Sequence, residues 1–174
     1  MTPTVTPTLT PTPTATPESC RQLLINGGFE EGSGWVMANT TYPAGYSTDQ
    51  VYAGARSLRA GIPASGINTY SYSNAVQTFD LPADAGQITL TAQVWRGSTA
   101  ADSDFQYLWI EVAGGTMQKV FQSRQNTQAW EALTYDLTGL KGKRITLRFG
   151  VYNTGSGGKT VLYADETSVE SCTP

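Results

Sequence analysis

The 174 residues of this chain contain no histidine, which removes the commonest catalytic and metal-binding side chain. Imidazole acid–base catalysis, Ser-His-Asp triads and histidine metal sites are thereby excluded. A glycosidase would need only two carboxyl groups flanking a cleft. On the polar strand faces described next, however, Glu111 is the single acid, and a pair would form only if Asp102 or Asp104 approached it from a loop. The chain is therefore expected to be non-catalytic.

Rings with hydrogen-bonding neighbours are the better prospect. In three stretches aliphatic residues alternate with polar or aromatic ones: Ile88, Leu90, Ala92 and Val94; Leu108, Ile110 and Val112; Ile145, Leu147, Phe149 and Val151. Period-two alternation puts each set on one side of a strand and its complement on the other. The aliphatic sets are expected in the core. The complements then offer Gln93 and Trp95, Tyr107, Trp109 and Glu111, and Arg148 and Tyr152, with a gap at Gly150. If the strands share one sheet, these residues form a single aromatic, hydrogen-bonding surface. Indole and phenol rings stack on the apolar C–H face of pyranoses, while Arg148, Gln93 and Glu111 can bond sugar hydroxyls. Two other readings stay open: the rings are covered by loops or another strand, or they form a protein interface.

Tyr42, Tyr46, Tyr52, Tyr70 and Tyr72 form a second candidate surface in loops, although tyrosines at such positions often pack with only the hydroxyl wet. Phe29, Trp35 and Trp130 read as core or edge anchors, and Asn39-Thr40-Thr41 fits the N-glycosylation sequon.

Residues 23 to 35, LLINGGFEEGSGW, read as a first strand, a glycine turn, and a pair of acids between aromatic anchors. Gly27 and Gly28 permit positive φ and close backbone approach, which makes the turn a candidate cation site. Cys20 and Cys172 lie just outside the first and last apolar strands and look like a staple across the ends, the alternative being two free thiols.

The elements that must position these residues are short strands. Strand-like runs recur at 23 to 25, 35 to 41, 56 to 60, 70 to 81, 87 to 96, 105 to 113, 117 to 123, 129 to 137, 144 to 152 and 160 to 170, separated by Gly, Asn, Asp and Pro. No helix and no internal repeat stand out. The expected fold is all-β, an antiparallel β-sandwich or jelly roll over residues 20–172. Residues 1–19 are rich in Thr and Pro, which predicts an extended linker of polyproline type, and 173–174 return to Thr-Pro as the start of a second one. A net charge of -3 gives no basic footprint for nucleic acid, and no 18-residue apolar run exists to insert in a membrane. Met1 leads straight into the Thr-Pro run without an apolar signal segment, yet the low 14% charged content suits a piece cut from a larger exported protein.

Several stretches together resemble the galactose-binding-like jelly-roll modules, which include many carbohydrate-binding modules of secreted multidomain proteins. They are LLINGGFEEGSGW, SLRAG at 57 to 61, AVQTFDLP at 75 to 82, WEALTYDLTGLKGKRITLRFGVYN at 130 to 153 and VLYADETSVE at 161 to 170. The resemblance covers nearly all of residues 21 to 171. It implies a secreted or cell-surface, non-catalytic module whose partner is an oligo- or polysaccharide. The alternative is a structural or adhesive module contacting neighbouring domains. It also implies a structural Ca2+ joining the first turn to the last strand, held by Glu30 and Asp165 with carbonyls from around Asn26 and Gly28. Glu166 and Thr167 stand where such modules often carry Asp-Val.

Overall fold

The computed structural model describes residues 19–100, 103–115 and 117–173. The Thr-Pro stretch before Ser19, Asp102 and Pro174 lie outside the described residues. Eleven strands run in order: β1 (Cys20–Gln22), β2 (Val36–Met37), β3 (Gly45–Ser47), β4 (Ser57–Gly61), β5 (Tyr70–Asp80), β6 (Gln87–Ser98), β7 (Phe105–Val112), β8 (Met117–Ser123), β9 (Trp130–Asp136), β10 (Arg144–Thr154) and β11 (Thr160–Cys172). A single turn of 3-10 helix, Thr138–Leu140, precedes β10.

All pairings are antiparallel. One sheet has the order β3-β4-β11-β6-β9, with β1 also on β11; the other has the order β2-β5-β10-β7-β8. The predicted β-sandwich is therefore the fold. The alternation read from the sequence sets the core: Ile88, Leu90, Ala92 and Val94 of one sheet face Leu108, Ile110, Ile145, Leu147, Phe149 and Val151 of the other, all buried in one cluster. Each of the larger of these side chains contributes about 1.5–3 kcal/mol on full burial.

The N-terminal stretch departs from expectation in an instructive way. Residues 23 to 25 are not a strand, because the Gln22 side chain interrupts the ladder: its Oε1 accepts the N–H groups of Leu23, Leu24 and Val169 at 2.8 to 2.9 Å. Leu23 still donates to the Val169 carbonyl on the six-stranded sheet. Two residues later Ile25 exchanges two bonds with the Gln77 amide on β5 of the other sheet, at 2.8 and 2.9 Å. The stretch crosses from one sheet to the other. Of residues 35 to 41 only Val36 and Met37 pair with β5, and β3 has no counterpart among the expected strands.

The two cysteines form a disulfide, Cys20 to Cys172, which ties β1 to the end of β11 where these residues are direct partners. Free thiols are excluded. No helix among the described residues is long and apolar enough to cross a membrane.

Candidate functional site

The outer face of the five-stranded sheet gathers rings from three adjacent strands. In register, Tyr152 of β10 stands between Tyr72 of β5 and Phe105 of β7; Gly150 stands between Asn74 and Tyr107; Arg148 stands between Val76 and Trp109. Tyr72 and Tyr152 have centroids 4.6 Å apart, Phe105 lies 5.3 Å from Tyr152, and Tyr70 meets both tyrosines edge-on at about 6 Å. Along β7 the rings continue from Phe105 to Tyr107 and Trp109. Tyr70 and Tyr72 are 58% and 42% exposed, so this end of the cluster is open to a ligand.

Tyr107 plays a different part from that expected of it. It is only 2% exposed, stacked on Trp109 with centroids 3.9 Å apart, and its ring covers Gly150 so closely that a Cβ there would overlap it. Burial pushes its phenol up to about 12. Tyr107 is thus the mount for Trp109 rather than a ring that a ligand could reach. The indole Nε1 of Trp109 is buried without a hydrogen-bond partner among the described residues, and Lys119 Nζ stands 6.0 Å from the ring centroid.

Beside the rings runs a polar line across β5, β10 and β7. Arg148 donates through Nε and Nη2 to the two Glu111 carboxylate oxygens, at 2.8 and 3.1 Å, and through Nη1 to Asn74 Oδ1 at 3.1 Å. The bidentate pair fixes the guanidinium plane. Both side chains stay partly exposed, at 26% and 40%, so their remaining donor and acceptor positions border the aromatic cluster. Glu111 has no carboxylate partner for a glycosidase pair in Asp104. The two sit seven residues apart on the β7 line, about 23 Å, and Asp104 Oδ1 accepts from the Thr154 backbone and hydroxyl at 2.8 Å.

Gln93 and Trp95 do not belong to this surface. They lie on β6, in the six-stranded sheet, where Gln93 pairs with Asp165 and Ala132, and Trp95 with Tyr163 and Trp130. The expectation of one continuous surface is corrected: alternation is right about which side of each strand is outward, but β6 and β7 belong to opposite sheets. The face also holds residues that the sequence reading left elsewhere. Tyr70 and Tyr72, grouped above with the loop tyrosines, stand two apart at the start of β5, with Ser71 and Ser73 turned inward. Tyr42 lies in a loop and Tyr46 in β3; the Tyr42 hydroxyl accepts the Ile67 N–H and the Tyr46 hydroxyl donates to the Ser33 carbonyl.

The proposed cation ligands separate into two groups. Glu30 Oε1 accepts the N–H groups of Ala55 and Arg56, at 2.9 and 3.0 Å, and these bonds hold its carboxyl below the usual range. Asp165 is fully buried; its Oδ2 accepts from Tyr52 and Ala53 and its Oδ1 from Glu166, yet burial outweighs these bonds and raises its pKa, with the Glu30 charge adding to the rise. Glu30 and Asp165 thus both bond the loop at 52 to 56. Asn26 does not fit. Its Oδ1 accepts from Glu31, its amide donates to the carbonyls of Glu31 and Ser33, and its own carbonyl accepts from Phe29 and from Trp35 Nε1. These bonds hold the turn, and the backbone carbonyl expected at the ion already accepts two of them. Gly28 lies beside the Glu166 carboxylate. Among the described residues, no three acidic, histidine or cysteine side chains converge to hold a metal.

No protein-family model and no curated protein matches the sequence. Solved structures do match in fold. One is a family 61 carbohydrate-binding module in complex with β-1,4-galactotriose, at 15% identity over 86% of this chain and 97% of that one, with a TM-score of 0.64. A family 16 carbohydrate-binding module matches at 15% identity over 84% and 98%, TM-score 0.53. The xylan-binding CBM22-1 domain from Paenibacillus barcinonensis matches at 15% identity over 85% and 93%, TM-score 0.51. At these identities the likeness lies in the backbone, not in the residues of a site. The chain has the two-sheet β-sandwich fold of carbohydrate-binding modules, as the sequence resemblance implies.

Proposed function

We propose that the chain is a non-catalytic carbohydrate-binding module that holds a glycan against the outer face of its five-stranded sheet. The observation that carries this reading is the continuous ring cluster Tyr70, Tyr72, Tyr152 and Phe105, leading to Trp109 and bordered by the Asn74, Arg148 and Glu111 line. An open cluster of rings suits a chain of pyranose residues presenting their C–H faces. The Arg148 and Glu111 pair, already rigid before binding, supplies donors and acceptors to ring hydroxyls at little ordering cost. Affinity is expected to be modest, because an open face buries little ligand and sugar hydroxyls exchange water bonds for protein bonds at small net gain.

The β-1,4-galactotriose and xylan named for the structural neighbours make β-linked pyranose chains the first ligand class to test. The Cys20 to Cys172 disulfide supports an oxidising, secreted or cell-surface setting, and the Thr-Pro stretch supports attachment to neighbouring domains. A Ca2+ held by Glu30 and Asp165 would serve the fold rather than the ligand, by neutralising the buried acid where the loop at 52 to 56 meets β11.

Retardation in gels cast with β-1,4-galactan or xylan tests the reading. Wild type is expected to be retarded, and Tyr72→Ala, Tyr152→Ala and Trp109→Ala to lose about tenfold or more in affinity. Undiminished retardation of all three variants rejects this face. A wild type that binds no glycan favours the adhesive reading, in which the same rings contact a neighbouring domain.

A further inference from the structure

The outer face of the six-stranded sheet carries a second aromatic row. Tyr163 of β11, Trp95 of β6 and Trp130 of β9 are direct cross-strand partners, so three rings stand side by side across about 10 Å. Trp95 meets Tyr163 edge-on at 5.4 Å, and Tyr52, 51% exposed, meets Trp130 edge-on at 5.7 Å. Trp95 lies over Gly97, where a Cβ would press into the indole. The arrangement repeats the relation of Tyr107 to Gly150 on the opposite sheet: a ring seated on a strand glycine.

Two hollows are lined in part by Trp95. The larger, about 260 Å3, is lined by Trp95, Tyr163, Asp49 and Gln50 among others, and the smaller, about 130 Å3, by Trp95, Gln128 and Lys159 among others. The larger lies just under the usual range for drug-sized ligands and suits a single sugar ring. Its polar side chains Asp49 and Gln50 keep open hydrogen-bonding positions among the described residues. The Asp49 carboxylate accepts only the Tyr163 hydroxyl, at 3.4 Å, and the Gln50 side-chain amide makes no hydrogen bond among the described residues. An aromatic wall facing a carboxylate and an amide has the donor and acceptor set that a neutral pyranose requires.

We propose that this hollow is a second saccharide site, with a pyranose stacked on Trp95, one hydroxyl donating to Asp49 and another exchanging bonds with the Gln50 amide. The two sites face away from each other on opposite sheets, so no single sugar unit spans them. The module is then bivalent and can bridge two polysaccharide chains.

The test uses the full chain, with β-1,4-galactotriose and xylotriose in titration calorimetry and soluble β-1,4-galactan and xylan in turbidity assays. Wild type is expected to bind two equivalents of the preferred trisaccharide and to cloud the matching polysaccharide. Trp95→Ala and Asp49→Asn are expected to weaken one equivalent about tenfold, abolish turbidity and leave the other equivalent unchanged; Tyr152→Ala is expected to do the converse. Because Asp49→Asn is nearly isosteric, it decides the matter if Trp95→Ala lowers the melting temperature. A single wild-type equivalent insensitive to Trp95→Ala and Asp49→Asn overturns the second site and leaves the first standing. A single equivalent lost in those variants but kept in Tyr152→Ala overturns bivalence and the first face together. No binding of either sugar overturns both sites.

Discussion

Tyr107 is seated on Gly150 and stacks on Trp109, with ring centroids 3.9 Å apart. The position of the indole therefore depends on a missing Cβ on the neighbouring strand. A Gly150→Ala substitution puts a methyl group into the Tyr107 ring and forces that ring outward. Overpacking of this kind typically costs about 1–3 kcal/mol. The expected result is a lower urea midpoint together with weaker glycan retention, although residue 150 touches no ligand. Full retention by a variant that is clearly destabilised would separate the mount from the site.

How much of this was legible beforehand follows from what alternation encodes. Ile145 to Val151 and their outward complements were readable, because period-two patterning depends only on each strand's own geometry. Which strands share a sheet was not readable. The partners of Trp95 are Tyr163 and Trp130, fixed by pairing across 68 and 35 residues of chain that leave no local trace. The part played by Gln22 is hidden for a related reason: a polar residue at the end of a strand gives no sign that it will replace the backbone ladder. The cysteines were legible because their only available partners were each other.

Two buried phenols should shape the alkaline limb of stability. Burial pushes Tyr107 up to about 12 and Tyr163 also to about 12, from an ordinary 10.0. The folded chain keeps these protons where the unfolded chain loses them. The stability they contribute is fully present below pH 10 and falls as pH rises from 10 toward 12. Urea midpoints measured at about pH 9 and about pH 11 should therefore drop less in Tyr107→Phe than in wild type. An identical drop in the two proteins would show that Tyr107 titrates normally.

The Cys20 to Cys172 bond closes a loop with a sequence separation of 152. In the chain-entropy account this is worth about 5 kcal/mol. Paired Cys20→Ser and Cys172→Ser substitutions should lower the unfolding free energy by about 2–5 kcal/mol, and wild type under reducing agent should match the variant. Since the bond joins strand ends remote from both aromatic faces, glycan affinity at a temperature where the variant remains folded should be unchanged. A loss under about 1 kcal/mol would mean that the ends stay together without the bond, through the β1 and β11 pairing alone.

A cation at Glu30 and Asp165 makes a prediction that also tests the part given to Asn26. Asp165 is buried, and its charge is opposed both by burial and by Glu30. A divalent ion between the two acids would relieve that opposition and so bind the folded chain alone. At a calcium concentration about a hundredfold above Kd the expected stabilisation is about 2.7 kcal/mol, read as a higher melting temperature that a chelator reverses. Glu30→Gln should abolish the calcium-dependent shift. Asn26→Ala should behave in the opposite way: it breaks the bonds to Glu31 and Ser33 that hold the turn, lowering stability by about 1–3 kcal/mol, yet it should leave the calcium increment intact. Melting curves that ignore calcium in wild type would leave the two acids as a purely structural clasp, held by the N–H groups of residues 52 to 56.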